Sequence, residues 1–282
     1  ELARLEPREI ILPDTVHDDA ALAELWAGQT VPLTLVSKEG MEPDACERRL
    51  KQAYGVATLD AFGAFTRAEL AAAGLALAYV ERTQRGQRPP LTPPVREAGG
   101  GVMRIDAATR ASLELTRSLG GERAGSLIDA IDRTLTPSGG RLLIERLAGP
   151  LTGLSAILAR QEALAFLHAD MGLREFLRQR LKQVPDLARA LSRLALDRGG
   201  PRDLVALAQG LEVAAETGAA MANRMGLPQE LAEAAQTLGD APVALARDIR
   251  AALKEDAPHL RRDGGFVRAG FEPDLDGLRE LQ

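Results

Sequence analysis

Aromatic side chains are scarce in this chain, 3% of 282 residues, and none occurs between Phe176 and Phe266. Ala, Leu and Arg fill that stretch, a composition that suits close helix–helix packing and gives a β-sheet little support. A single cysteine, Cys46, excludes an intrachain disulfide and fits a reducing compartment. No apolar run approaches the roughly 20 residues a membrane span requires. The start, Glu1-Leu2-Ala3-Arg4-Leu5, lacks the basic-then-apolar pattern of a secretory leader and reads as though cut from a longer chain. A cytoplasmic protein without membrane contact is therefore expected.

Catalytic signatures are missing too. There is no Gly-x-x-x-x-Gly-Lys-Ser/Thr to cradle phosphates. The Gly99-Gly100-Gly101 run precedes a possible strand at Val102 to Ile105, the wrong order for a dinucleotide fingerprint. His17, His168 and His259 are far from one another and from Cys46 in sequence, with no metal-ligand spacing. Cys46 is expected to be a structural thiol, since a nucleophile needs a base beside it. Asp14, Asp18 and Asp19 could in principle hold Mg²⁺ at a strand end in a nuclease-like site, but acidic first turns of helices explain them better. The pairs Asp129/Asp132 and Glu212/Glu216 read as solvated faces or intrahelical salt bridges. Asp263-Gly264-Gly265 signals a reverse turn and lacks the further oxygens of a Ca²⁺ loop. No catalytic, cofactor-binding or metal residue is assigned.

The formal net charge is −5. Residues 1–100 carry 11 Lys+Arg against 15 Asp+Glu, and residues 101–282 carry 24 against 25, so neither half is a basic nucleic-acid coat.

What is present has a clear order. Ile10-Ile11-Leu12 and Val31 to Val36 have the length and β-branching of buried strands. A short helix from Asp18-Asp19 through Leu22, Leu25 and Trp26, ended by Gly28, would join them as a parallel βαβ unit. Helices are expected from about Pro43 to Tyr54, with Cys46 and Leu50 on one face, and from Arg67 to about Gln84, burying Leu70, Gly74, Leu77 and Val80. Residues 86–101 hold four Pro and four Gly in sixteen, a linker composition. Beyond it the pattern is helical almost throughout. Apolar stripes run through Leu127, Ile128, Ile131 and Leu135; Leu142, Leu143 and Leu147; Val184, Leu187, Ala188, Leu191, Leu194 and Ala195; and Leu204, Leu207, Ala208, Leu211 and Ala215. Pro137, Gly199-Gly200-Pro201, Pro228 and Pro258 punctuate them. Packed helices in a bundle or long hairpins follow.

Specific strings narrow this further. Met103 to Arg110 running into Leu113-Glu114-Leu115, Ser126 to Pro137 with Gly139-Gly140-Arg141-Leu142-Leu143, Pro201-Arg202-Asp203-Leu204, and Arg262-Asp263-Gly264-Gly265 with Gly270 occur in one order. Together they resemble the core domain of MutS-type DNA mismatch repair proteins, and the first part matches that family's connector more loosely. Ser138, Arg146 and Ala188 depart from the family's usual residues. The resemblance implies a partial, RNase H-like α/β connector at 1–85, a linker at 86–101, and a mainly α-helical core or lever domain at 102–282 leading to a clamp. It further implies a fragment without the mismatch-reading domain or the P-loop ATPase domain. Such a fragment would bind no cofactor, ATP and Mg²⁺ belonging to the parent. The parent's expected partners are mismatched double-stranded DNA, a MutL-type protein docking on the connector, and a second copy of itself. The alternative expectation is a stand-alone helical scaffold or regulator on the same core.

Overall fold

The structure is a computed structural model that describes residues 2–27, 31–37, 41–96 and 100–281. The chain divides into two compact units. One holds residues 1–100 and 105–110, the other residues 101–104 and 111–282.

The first unit opens with α1 (Leu2–Leu5), β1 (Ile10–Pro13), α2 (Asp14–His17), α3 (Ala23–Ala27) and β2 (Leu33–Val36). The strands pair in parallel, Ile10 opposite Leu33 and Leu12 opposite Leu35, and Leu12 is buried. The sequence predicts one helix between them; two short ones form instead. The physical cause is local competition: Asp14 Oδ1 accepts from the Thr15 amide at 2.7 Å and Asp19 Oδ1 from the Ala21 amide at 2.9 Å. Short acidic side chains that bond nearby amides offer the backbone turns in place of a continuous helix. The expected helix end at Gly28 lies outside the described residues. β2 starts two residues later than Val31; the Pro32 carbonyl still accepts from the Ile10 amide at 3.0 Å, but proline has no N–H to return.

Helices α4 (Pro43–Tyr54) and α5 (Arg67–Thr83) then pack against each other. Gly55, in left-handed conformation at φ 66°, closes α4. Thr66 opens α5 with a capping box: its hydroxyl accepts from the Glu69 amide at 3.3 Å, and Glu69 Oε2 accepts from the Thr66 amide at 2.6 Å. Leu50, Leu59 and Leu77 form the core between them, with Tyr54 and Phe62 meeting edge to face. Leu70 and Val80 are only half-buried on this face. Residues 88–96 of the proline-rich stretch lie on the same unit. Arg88 pairs with Glu81 at 2.6 Å, the Thr92 carbonyl accepts from the Tyr54 hydroxyl at 3.0 Å, and Arg96 Nε donates to Glu69 at 3.0 Å.

After α6 (Ala107–Ser112), the second unit is helical: α7 (Leu127–Ile131), α8 (Pro137–Ala148), α9 (Leu154–Ala169), α10 (Met171–Leu181), α11 (Leu187–Ala195), α12 (Pro201–Ala222), α13 (Gln229–Gly239), α14 (Val243–Ala252) and α15 (Pro273–Glu280). The strand expected at Val102 to Ile105 reduces to one antiparallel bridge, Val102 to Leu151. Leu135 does not continue the α7 stripe. Asp132 Oδ1 accepts from both the amide (2.8 Å) and the hydroxyl (2.7 Å) of Thr134, and this local turn ends the helix at Ile131. Val184 likewise falls outside α11, whose cap is Asp186. In α11 Ala190 is buried with Leu187 and Leu194 half-buried on the same face, while Ala188 and Leu191 are exposed. Among the described residues no helix is long and apolar enough to cross a membrane.

Candidate functional site: a helix junction seated on glycines

Helix α12 organises the second unit. Its 22 residues span about 33 Å at the ~1.5 Å rise of an α-helix. Pro201 at its first turn lacks the N–H that would go unpaired there, and Asp203 Oδ2 accepts from the Gly200 amide at 2.8 Å. Residues on more than one face are buried, among them Ala208, Gly210, Val213, Gly218 and Met221, as in a helix surrounded by neighbours.

Two cores lie along it. Toward its start, Ala208 packs with Ala246, Ile249 and Leu253, supported by Leu204, Leu211 and Phe266. Toward its end, Met221 packs with Leu173 and Ala235, supported by Phe166, Leu177 and Leu231. One continuous helix therefore belongs to both cores.

Three glycines set how closely the neighbours approach. A Cβ on Gly218 would lie 2.5 Å from the Gly239 amide nitrogen and 2.7 Å from the Ala235 carbonyl oxygen, both backbone atoms of α13. A Cβ on Gly210 would meet Leu187 Cδ1 of α11 at 2.9 Å. A Cβ on Gly200 would overlap the His259 carbonyl oxygen. Each absent side chain admits a neighbour that even a methyl group would displace.

Arginine–carboxylate pairs cross-link the same helix. Arg250 of α14 grips Glu212 through two nitrogens, Nη2 at 2.9 Å and Nε at 3.2 Å, and this hydrogen bonding raises the Arg250 pKa. Arg180 of α10 meets Glu216 at 3.0 Å, and Arg193 of α11 meets Asp203 at 3.1 Å. These pairs are partly solvated, so each contributes about 0–1 kcal/mol and acts mainly by fixing register. Glu212 and Glu216 thus pair between helices, where the sequence suggests pairing within one. Asp132 pairs with Arg123, and Arg133 touches it only through the backbone.

The acids weighed as metal ligands are not gathered into a site. Asp14 and Asp19 bond nearby amides, and Asp18 meets His17 Nδ1 at 2.8 Å. Among the described residues no group of three His, Cys, Asp or Glu is placed to hold a metal ion. Cys46 is buried against α5, where a Cβ on Gly74 would fall 2.7 Å from its Sγ, and burial raises its thiol pKa. His168 and His259 sit on separate elements, and His259 Nε2 accepts from Arg202 Nη1 at 2.8 Å. The glycine seats could have been suspected from sequence, since Gly210 and Gly218 stand eight residues apart within a strongly helical stretch where glycine costs ~1 kcal/mol relative to alanine.

The fold class is a small α/β unit followed by a helical unit built round one long helix. Comparison with known proteins gives the class its family. Residues 1–92 match the family model for MutS domain II, and residues 108–279 match that for MutS domain III. The chain is 50% identical over 284 residues to the DNA mismatch repair protein MutS of Azorhizobium caulinodans and 48% identical over 281 residues to that of Nitrobacter winogradskyi. It is 47% identical over 281 residues to the MutS of Rhodopseudomonas palustris strain BisB5. In each case all of this chain is covered, and it spans 30–32% of the length of these curated relatives. The chain belongs to the MutS family of DNA mismatch repair proteins.

Proposed function

We propose that this chain forms the connector and lever of a mismatch-recognition ATPase, relaying conformational change between the part that engages mismatched DNA and the part that hydrolyses ATP. Its two units would correspond to a connector at 1–85, whose parallel strand pair would be part of an RNase H-like sheet, and a lever at 102–282. The observation that carries the reading is the continuity of α12 through both cores. A rod that shares its buried residues with every adjoining helix can rotate or shift only with them, so displacement at one end reaches the other. Glycine seats and cross-helix arginine pairs stiffen that linkage. ATP, Mg²⁺ and the mismatch reader would be supplied by other domains. A MutL-type partner docking on the first unit, and pairing of two full-length copies, belong to the same proposal.

The test is made in a full-length MutS carrying this region. Two glycines inserted in the middle of α12 should leave basal ATP hydrolysis and mismatched-DNA affinity within about twofold, while stimulation of hydrolysis by mismatched DNA falls by about tenfold or more. Unchanged stimulation in a folded variant would overturn the relay.

A further inference from the structure

We infer that the first unit carries a small anion site, suited to a phosphate monoester, in the cleft beyond the carboxyl end of β2. The cleft, about 200 Å³, is lined by the apolar Val36, Met41, Leu75 and Ala78 and by Ser37 and Tyr79. Two arginines line it, Arg49 of α4 and Arg82 of α5. Among the described residues neither has an ion-pair or hydrogen-bond partner for its side chain, in a protein whose other arginines are widely paired. Arg82 is held over the Tyr79 ring, 5.4 Å from its centre, a cation–π contact that leaves its N–H donors open. The Tyr79 hydroxyl is already committed, donating to Glu9 Oε1 at 2.6 Å, and Thr34 donates to the same oxygen. Glu9 is thereby hydrogen-bonded, and no carboxylate lines the cleft among the described residues.

Charge and shape select the ligand. Two guanidiniums carry two positive charges, which a phosphate monoester near neutral pH matches with about −1.5 to −2, whereas a carboxylate leaves one of them uncompensated. The apolar part of the lining has no use for a bare ion and suits a small hydrophobic body attached to the phosphoryl group. Parallel strands place ligands beyond their carboxyl ends, and Val36 is the last residue of β2. The site holds or fails independently of the lever role of α12.

The experiment is calorimetric titration of the full chain at low salt with three probes: inorganic phosphate, phenyl phosphate and benzoate. Phenyl phosphate is expected to bind tighter than inorganic phosphate by about threefold or more, and benzoate weakest. Affinity for phenyl phosphate should fall steeply as salt is added. Arg82→Ala, at an exposed position, should weaken phenyl phosphate by about tenfold, and Arg49→Ala with Arg82→Ala should abolish binding. Arg82→Lys should restore part of the affinity, which a purely structural role would not predict. Binding of phenyl phosphate within about twofold of the parent in the double variant, with an unchanged unfolding midpoint, would overturn the site. So would absence of binding at about 10 mM of either phosphate, or benzoate binding as tightly as phenyl phosphate.

Discussion

The two units reach compactness by different means. In the first, Leu50, Leu59 and Leu77 are backed by an edge-to-face pair of rings, Tyr54 and Phe62, so bulky side chains fill much of the space between α4 and α5, with one close seat where Gly74 meets Cys46. In the second, much of the buried surface of α12 is Ala and Gly, and neighbouring backbones come close enough to leave no room for a methyl group. Large side chains tolerate repacking, because rotamers can adjust around them. Backbone against backbone has no such freedom. The second unit should therefore be brittle to added volume all along α12 and the first only at Gly74, while both should suffer from lost volume.

The largest effect expected from this contrast is at Gly218. Replacing it with valine forces atoms into the α13 backbone, and overpacking of this kind costs about 3 kcal/mol or more. Chemical denaturation followed by helical circular dichroism would register it, and a midpoint unchanged from the parent would break the comparison. Next is loss of volume in the second unit's far core: Leu173→Ala, at a residue 1% exposed, should cost about 2–4 kcal/mol. The matching truncation in the first unit, Leu77→Ala at 4% exposure, should cost a similar ~2–4 kcal/mol. A cost below about 1 kcal/mol at either position, read from the same denaturation curves, would contradict its place in a packed core. Smaller again is Arg250→Ala, at about 0.5–1 kcal/mol, with a double-mutant cycle against Glu212→Ala isolating the pair.

The smallest effect is a pH dependence. The Asp132 carboxyl is lowered from its ordinary 3.8 to about 2, first by the Thr134 hydroxyl and amide and then by Arg123. A depressed carboxyl contributes stability that is complete above its unfolded value and is lost as pH falls through its folded one. Stability from this group should thus decline from pH 3.8 toward about 2. Asp132→Asn should flatten that limb, and a carboxyl titration by NMR near the ordinary value would contradict the account.

Much of this organisation was legible in the residues. Parallel strands at Ile10–Leu12 and before Val36, and the helices ending near Tyr54 and Gln84, follow from β-branching, apolar spacing and glycine stops. Pro137, Pro201 and Pro228 each mark a helix start, because proline fits a first turn and little else in a helix. Less legible were places where short polar side chains outbid periodicity, at Asp19 and at Asp132. A stripe such as Leu127 to Leu135 reports spacing only, and cannot reveal that a carboxylate will capture the amide two residues on. The helix junction was harder still. Leucine stripes point to core, but which glycine faces which backbone depends on contacts between segments such as 218 and 239, and no local pattern encodes those. The anion cleft needed Arg49 and Arg82 brought together from separate helices, 33 positions apart in sequence.

The aromatic scarcity noted at the outset has an optical consequence. Trp26, Tyr54 and Tyr79 are the chain's full complement of Trp and Tyr, and all three lie in the first unit. Intrinsic tryptophan and tyrosine fluorescence therefore views that unit alone, while the helical far-ultraviolet signal is dominated by the second. Two ordinary spectrometers, run on one unlabelled sample, separate the melting of the two halves.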